Sequence, residues 1–387
     1  MSFAVTLERL EIHPHPNADA LELAQVGLYR AVVPKKVYKS GDYALYIPEQ
    51  AILPPGLIME LDLVGRLAGR DKNRVKAIRL RGELSQGIVC RPAILTRAFP
   101  YAEDIIQASK DRIDLSESLG IFKWVPPIPV HLAGKTEHAP NLVRWLEIEN
   151  IKRYPDIFAP GEHVIATEKI HGTCCLVTYD TQVGLIGGDG EPMGAMYVSS
   201  KGLGSKQLSL LEEPGNLYWR AAKAHGLGFA AAAISGYLRR DFEGGIRAVG
   251  LFGEVYGKGV QDLHYGADVS QDDRIGYALF DVAVVDGTGR QHWLSAYDVE
   301  DIWNVDTPAG PMLSVPRVPV VYDGPYDFTK LAELAEGWSL LDPGTLREGV
   351  VVRPSTERYS NSLGGRAIGK IVGAGYLTRG GEATEYE

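Results

Sequence analysis

The stretch TEKIHGTCC, Thr167 to Cys175, puts a glutamate, a lysine, a histidine and a glycine within five residues. A lysine at the edge of a strand-like run is, in most chains, a solvated charge. The alternative is a lysine that attacks a nucleotide phosphate. Such a nucleophile must lose a proton, and a free side chain with a pKa near ~10.4 keeps it. Nearby positive charge or a divalent cation lowers that value. Phosphoryl chemistry also needs carboxylates for Mg²⁺ and cations for phosphate oxygens, and a purine needs a flat apolar partner. Strand-like runs downstream supply each type: Glu254 in LFGEVYG, Phe280 in YALFDV, Glu348 in REGVVVRP and Lys370 in AIGKIVG. A charge inside an apolar run is costly unless paired or coordinated. Each alone reads as a salt bridge; in this order they point to one site.

The elements that must position these residues form two regions. From residue 1 to about 95, FAVTLERLEI, ALELAQV, YRAVV and DYALYIP read as short strands separated by Gly, Pro, Asn and Asp. Strands at that spacing suggest a small barrel. From about 96 to 145 the chain is less regular, and WVPPIPVHLAG reads as an extended connection because proline removes ladder donors. From about 146 a larger region begins. EHVIATEKI, CCLVTY, AMYVSS, IRAVGLFGEVYG, IGYALFDVAVVD and REGVVVRP are strand-like, and LYWRAAKAHGLGFAAAAISGYL and DFTKLAELAEGW are helix-like with Asp327 as an N-cap. Strands and helices do not alternate, so the expected class is α+β with an antiparallel sheet. DTQVGLIGGDGEPMG is Gly-rich but lacks phosphate-loop spacing and reads as a surface insertion.

A net charge of −9 over 387 residues gives no overall reason to bind nucleic acid, so any such binding needs a local basic patch. RLAGRDKNRVKAIRLR is the clearest one: Arg66, Arg70, Lys72, Arg74, Lys76, Arg79 and Arg81 against one acid, Asp71. It reads equally as a solvated hairpin. Cys90, Cys174 and Cys175 have no metal-ligand spacing, which argues against zinc and for a reducing compartment. Cys174 and Cys175 read as core residues of the strand leaving the lysine. The N-terminus is not a signal peptide and no apolar run is long enough to span a membrane. The expectation is a cytoplasmic protein with no membrane partner.

TEKIHGT, VSSKGLG, LFGEVYGKGVQDLHYG, YALFDV, REGVVVRP and GKIVGAGYL resemble, in order, the motifs of the covalent nucleotidyltransferases: ATP-dependent RNA and DNA ligases and mRNA capping enzymes. The histidine of EKIHGT points to RNA ligases. The whole architecture resembles the Deinococcus-type RNA ligases, with an OB domain before the ligase domain; HPNADALELAQVG and LSQGIVC resemble words of OB-fold tRNA-binding domains. The resemblance implies an OB-fold barrel over 1–95, a connection over 96–145 and an antiparallel-sheet, ATP-grasp-like nucleotidyltransferase domain over 146–387. It implies that Lys169 becomes adenylylated and that Glu168 reads the adenine amino group, with Ile170, His171 and Gly172 completing the motif. Lys201 lies near the ribose or phosphate, Glu254 serves the ribose or a metal, Phe280 stacks on adenine, Glu348 supports the metal and Lys370 contacts the α-phosphate. ATP is the substrate, with Mg²⁺ or Mn²⁺. Where many ligases carry lysine-x-lysine in the last motif, Ile368 and Val372 flank Lys370 here, and the resemblance leaves open whether Arg366 substitutes. The basic patch would then face nucleic acid, with Tyr29, Tyr43 and Tyr46 either stacking on bases or filling the barrel.

Three functions follow. The first is an ATP-dependent RNA ligase acting on RNA with 3′-hydroxyl and 5′-phosphate ends, including a nicked duplex, in RNA repair. The second is a DNA ligase or capping guanylyltransferase, weakened because only 17 residues follow Lys370. The third is a non-catalytic RNA-binding protein with a decayed ligase domain.

Overall fold

The computed structural model describes residues 3–124, 134–184, 194–307 and 310–379. Most of WVPPIPVHLAG and the middle of DTQVGLIGGDGEPMG lie outside them. The chain divides into two compact units: Met1–Val125 with Glu149–Pro155 and Leu377–Gly381, and Pro126–Ile148 with Asp156–Tyr376 and Glu382–Glu387. Among the described residues no helix is long and apolar enough to cross a membrane.

The first unit carries two three-stranded antiparallel sheets. Tyr43–Ile47 pairs with Thr6–Arg9 on one side and Ile88–Cys90 on the other; Leu21–Val26 pairs with Glu11–Pro14 and Tyr29–Pro34. Alternation along these strands feeds two apolar clusters. Leu7, Leu45 and Ile47 meet Leu57, Leu95, Ala108 and Ile121, and Ala24, Val26, Ala31 and Val33 meet Tyr46 and Val89. The unit therefore extends past the expected boundary near 95. The helices Ala93–Ala98 and Ala102–Lys110 and the residue Ile121 are part of its core, because their apolar side chains need a partner that an extended connection would not provide. Tyr46 is buried and stacked on Tyr29 at 5.6 Å between ring centroids, so both serve the packing; Tyr43 is half-buried.

The second unit is built on antiparallel sheets. The larger runs Thr136–His138, Leu208–Leu210, Ala195–Ser200, Thr173–Asp180, Ile246–Tyr256, Gly276–Asp286, Gln291–Trp293. Residues from 134 to Ile148 thus belong to this unit rather than to a connection. The other sheet places Gly349–Pro354 between Gly369–Val372 and His163–Lys169, with Val320–Pro325 beyond the latter. The central strands are continuous β-branched and apolar runs because they are covered. Helices Leu217–Ala224 and Leu227–Leu238 bury Tyr218, Trp219, Ala231 and Ile234 against Val177, Val249 and Leu251. The expected single helix over 217–238 is two, because Gly226 takes φ +60 and breaks the ladder. Asp327 caps the helix Phe328–Leu334 through the amides of Thr329 and Lys330.

Candidate active site

A cleft of the second unit is lined from both of its sheets. One contributes Glu168, Lys169, Glu348, Arg353 and Lys370; the other contributes Cys174, Glu254 and Phe280, with Ile170, His171 and Gly172 in the turn between their first strands and Lys201 at the start of a short helix. The strand register explains the meeting. Lys169 stands opposite Gly349, the neighbour of Glu348, and Cys174 stands opposite Glu254.

Lys169 Nζ donates to Glu348 Oε1 at 2.5 Å. Glu348 is fully buried, and its other oxygen, Oε2, accepts no hydrogen bond; His171 Nδ1 lies 3.9 Å from it. Glu168 is equally buried. Its Oε2 accepts from the Leu340 amide at 2.7 Å, while its Oε1 has no partner. Unpaired buried carboxylate oxygens are expensive, and both of these belong to residues that line the cleft. Burial pushes Glu254 up to about 7, against the opposing effects of Lys169 and the Cys174 thiol, with the charge of Glu348 adding to the rise.

His171 is held on three sides. Its backbone amide donates to the Tyr265 hydroxyl at 2.9 Å, Nε2 meets Asp262 Oδ1 at 2.7 Å, and Nδ1 meets the Tyr376 hydroxyl at 2.9 Å. Gln261 donates to the Gly172 carbonyl. A Cβ on Gly172 would fall 2.2 Å from the Val255 carbonyl oxygen, so only glycine lets the two strands close here. Phe280 meets Trp145 edge-on at 6.2 Å and presents an apolar wall with Val318, Val351 and Ile368. Lys201 Nζ lies 3.0 Å from Glu147.

The fold answers one open question and corrects one expectation. Arg366 does not line the cleft. It is buried behind it, bonded to Asp281 and Glu357 and lying 4.4 Å over the Trp293 ring. The cleft's additional cation is Arg353, which donates to the same Asp281 at 3.2 Å. Cys175 is a core residue as expected, but Cys174 lines the cleft, and its thiol donates to Glu254 Oε2 at 3.2 Å. Burial and the Glu254 charge hold that thiol well above its ordinary pKa.

The basic patch is a separate feature of the first unit. Arg66, Arg70, Lys72, Arg79 and Arg81 are exposed and Lys76 is half-buried, on a loop followed by the hairpin Ile78–Leu80 and Glu83–Ser85. Arg74 differs. It is only 7% exposed, with its guanidinium 4.0 Å over the Trp124 ring, which withdraws it from any surface ligand.

Asp262, Gln261, Tyr265, Asp281, Arg353 and Tyr376 were all inside the quoted motifs, but nothing in their spacing singles them out; their roles depend on what folds against them.

A half-buried lysine beside buried carboxylates, an apolar wall and free acceptors make a site for nucleotidyl transfer. The RNA ligase family matches residues 162–372, more than half of the chain, and an OB-fold domain family matches residues 4–92. The chain belongs to the RNA ligase family. Among solved structures it is similar to the Naegleria gruberi RNA ligase with PPi, at 21% identity and a TM-score of 0.70, covering 97% of this chain and 98% of that one. Variants of the same ligase with ATP and Mn and with AMP and Mn match at 22% identity with TM-scores of 0.69 and 0.70 and the same coverage. No curated protein matches the chain.

Proposed function

We propose that the chain is an ATP-dependent RNA ligase that joins an RNA 3′-hydroxyl to a 5′-phosphate, in a nicked duplex or between separate ends, as a step of RNA repair in the cytoplasm, with the OB-before-ligase order of the Deinococcus type. The observation that carries this reading is Lys169 held against Glu348 in a cleft where Glu168 Oε1 and Glu348 Oε2 are buried without hydrogen-bond partners. Neutral Lys169 Nζ attacks the α-phosphorus of ATP; a P–N bond forms, the bond to the bridging oxygen breaks, pyrophosphate leaves and the nitrogen releases one proton to solvent. An RNA 5′-phosphate oxygen then attacks the same phosphorus, and the lysine nitrogen leaves with a proton. The 3′-hydroxyl attacks the RNA phosphorus, loses its proton and expels AMP. Each transfer is an in-line displacement helped by cations aimed at the developing charge; Lys201, Arg353 and Lys370 line the cleft for that role.

Glu168 suits adenine. Its unpaired oxygen is acceptor-only when ionised and matches an exocyclic amine, whereas guanine offers a carbonyl there. Phe280 is the stacking wall. Glu254 and Glu348 are hard oxygen donors with a free acceptor between them. Among the described residues no group of three His, Cys, Asp or Glu forms a metal cage, which suits Mg²⁺ or Mn²⁺, since these take one or two carboxylates with substrate phosphates and water. When bound, the cation favours the neutral lysine and screens phosphate charge. The ATP- and Mn-bound relatives support the same substrate and cofactor.

Incubation with α-labelled ATP or GTP and Mg²⁺, followed by denaturing electrophoresis, tests the reading. Labelling by ATP is expected. Labelling by GTP would select a capping enzyme, and no labelling would select a non-catalytic RNA-binding protein.

A further inference from the structure

A second cavity of the same unit, about 710 Å³, is walled by two loops outside the nucleotide cleft. One loop runs from Lys258 through Asp268 to Arg274. The Lys258 amide donates to Ala267 and the Val269 amide to Lys258, which closes it. The other carries Trp338 and Thr345 and is closed by Ser339 donating to Thr345 and Arg347 donating to Gly337. Both walls are therefore preformed.

Their exposed side chains are of two kinds. Trp338 is 62% exposed, a large apolar surface to leave in water. Lys258 and Arg274 are exposed and form no ion pair within 4 Å among the described residues, while the charge of Asp268 lies near both and is held below the ordinary carboxylate range chiefly by the Ser270 amide and in part by them. The carboxylates of the groove are engaged: Asp262 with His171, Asp268 with the Ser270 amide, Asp342 with the Gly344 amide and the Thr345 hydroxyl. A flat exposed indole in one groove with exposed cations is the pairing that takes a base and its phosphates.

The walls also reach the nucleotide cleft. The first holds His171 through Asp262, and the second holds Glu168 through the Leu340 amide. We propose that this groove is a single-stranded RNA subsite of the catalytic unit, in which a base stacks on Trp338 and the backbone runs along Lys258 and Arg274 toward the cleft. This deepens the ligase reading by giving the RNA strand a seat beside the lysine, and it rests on that reading for the identity of the strand.

The test uses the full chain, with and without prior charging by ATP and Mg²⁺. A fluorescein-labelled 12-nucleotide single-stranded RNA is titrated at two salt concentrations. Trp338→Ala should weaken binding about ten-fold, with Trp338→Phe keeping most of it. Lys258→Gln with Arg274→Gln should lower the slope of log affinity against log salt by about 1.4, at ~0.7 per lost contact. Arg239→Gln with Arg240→Gln, exposed on a helix end of the same unit, is the charge control and should retain both affinity and slope. RNA carrying 5-iodouracil should crosslink to the peptide containing Trp338. Unchanged binding in both groove variants, an equal loss in the control, or a crosslink confined to other peptides would each overturn the subsite. Failure of the wild-type chain to accept AMP would instead remove the ligase reading, while the uncharged binding measurements would still decide the groove.

Discussion

Lys169 and Glu348 form one unit at the residue scale: a lysine and the buried carboxylate it donates to, the pair proposed as nucleophile and orienting partner. Lys169→Ala should abolish covalent AMP labelling, and Lys169→Arg should as well, because arginine stays protonated. Label surviving in either variant would mean another nucleophile. Glu348→Ala should lose labelling in a folded protein, since it removes the carboxylate to which Lys169 donates. Glu254 gives a pH signature. Its carboxyl titrates near about 7 in the fold, against an ordinary 4.5, so the folded chain binds a proton that the unfolded chain releases between those values. Its contribution to stability is complete below about 4.5 and is lost as pH rises through 7, by at most about 3 kcal/mol. Urea unfolding at pH 5 and pH 8 should show a smaller difference for Glu254→Gln than for the wild type. An identical difference would show that Glu254 does not titrate in that window.

At the scale of elements, the turn between His163–Lys169 and Thr173–Asp180 brings the two sheets of the cleft together, and Gly172 is its tightest point. Gly172→Ala must push the chain away from Val255 by an ångström or more. Misplacement of that size costs on the order of a hundred-fold in rate. Labelling should fall by about that factor while circular dichroism stays unchanged; near-normal labelling would show that the turn can yield. Asp327→Ala removes a cap that accepts two amides and should lower stability by about 1 kcal/mol, without affecting labelling.

For the whole molecule, the two units invite a division of labour between making the lysyl-AMP and holding RNA. The residues Leu95, Ala108 and Ile121 share one core, so a cut near residue 96 would break the first unit, and the basic patch is best examined in the full chain. Arg70→Gln, Lys72→Gln and Lys76→Gln together should keep AMP labelling, weaken sealing of split RNA and reduce its salt dependence. Sealing equal to wild type at both salt concentrations would remove the patch from substrate binding. Arg74 is left out, because its place over Trp124 makes it part of the packing.

The strands around Lys169 were legible in the sequence because β-branched runs with interrupting charges leave a local mark: AMYVSS, GVVVRP and the long runs ending near Tyr256 and Asp286 are strands in the structure. The order of the motifs was enough for the family and for which lysine to examine. What surrounds that lysine was decided by strand register and loop placement, which act across up to two hundred residues. Nothing local in Arg366 tells that Asp281 and Glu357 would hold it behind the cleft, or in Arg353 that it would face it. Cys174 and Cys175 are identical in type and adjacent, yet a strand sends them to opposite faces, one to the core and one to Glu254. Asp262 reads as part of an ordinary loop and Trp338 as the end of a helix-like run until the fold stops that helix at Leu334 and sets the two loops across one groove, because side-chain pairing between distant segments leaves no period in the chain.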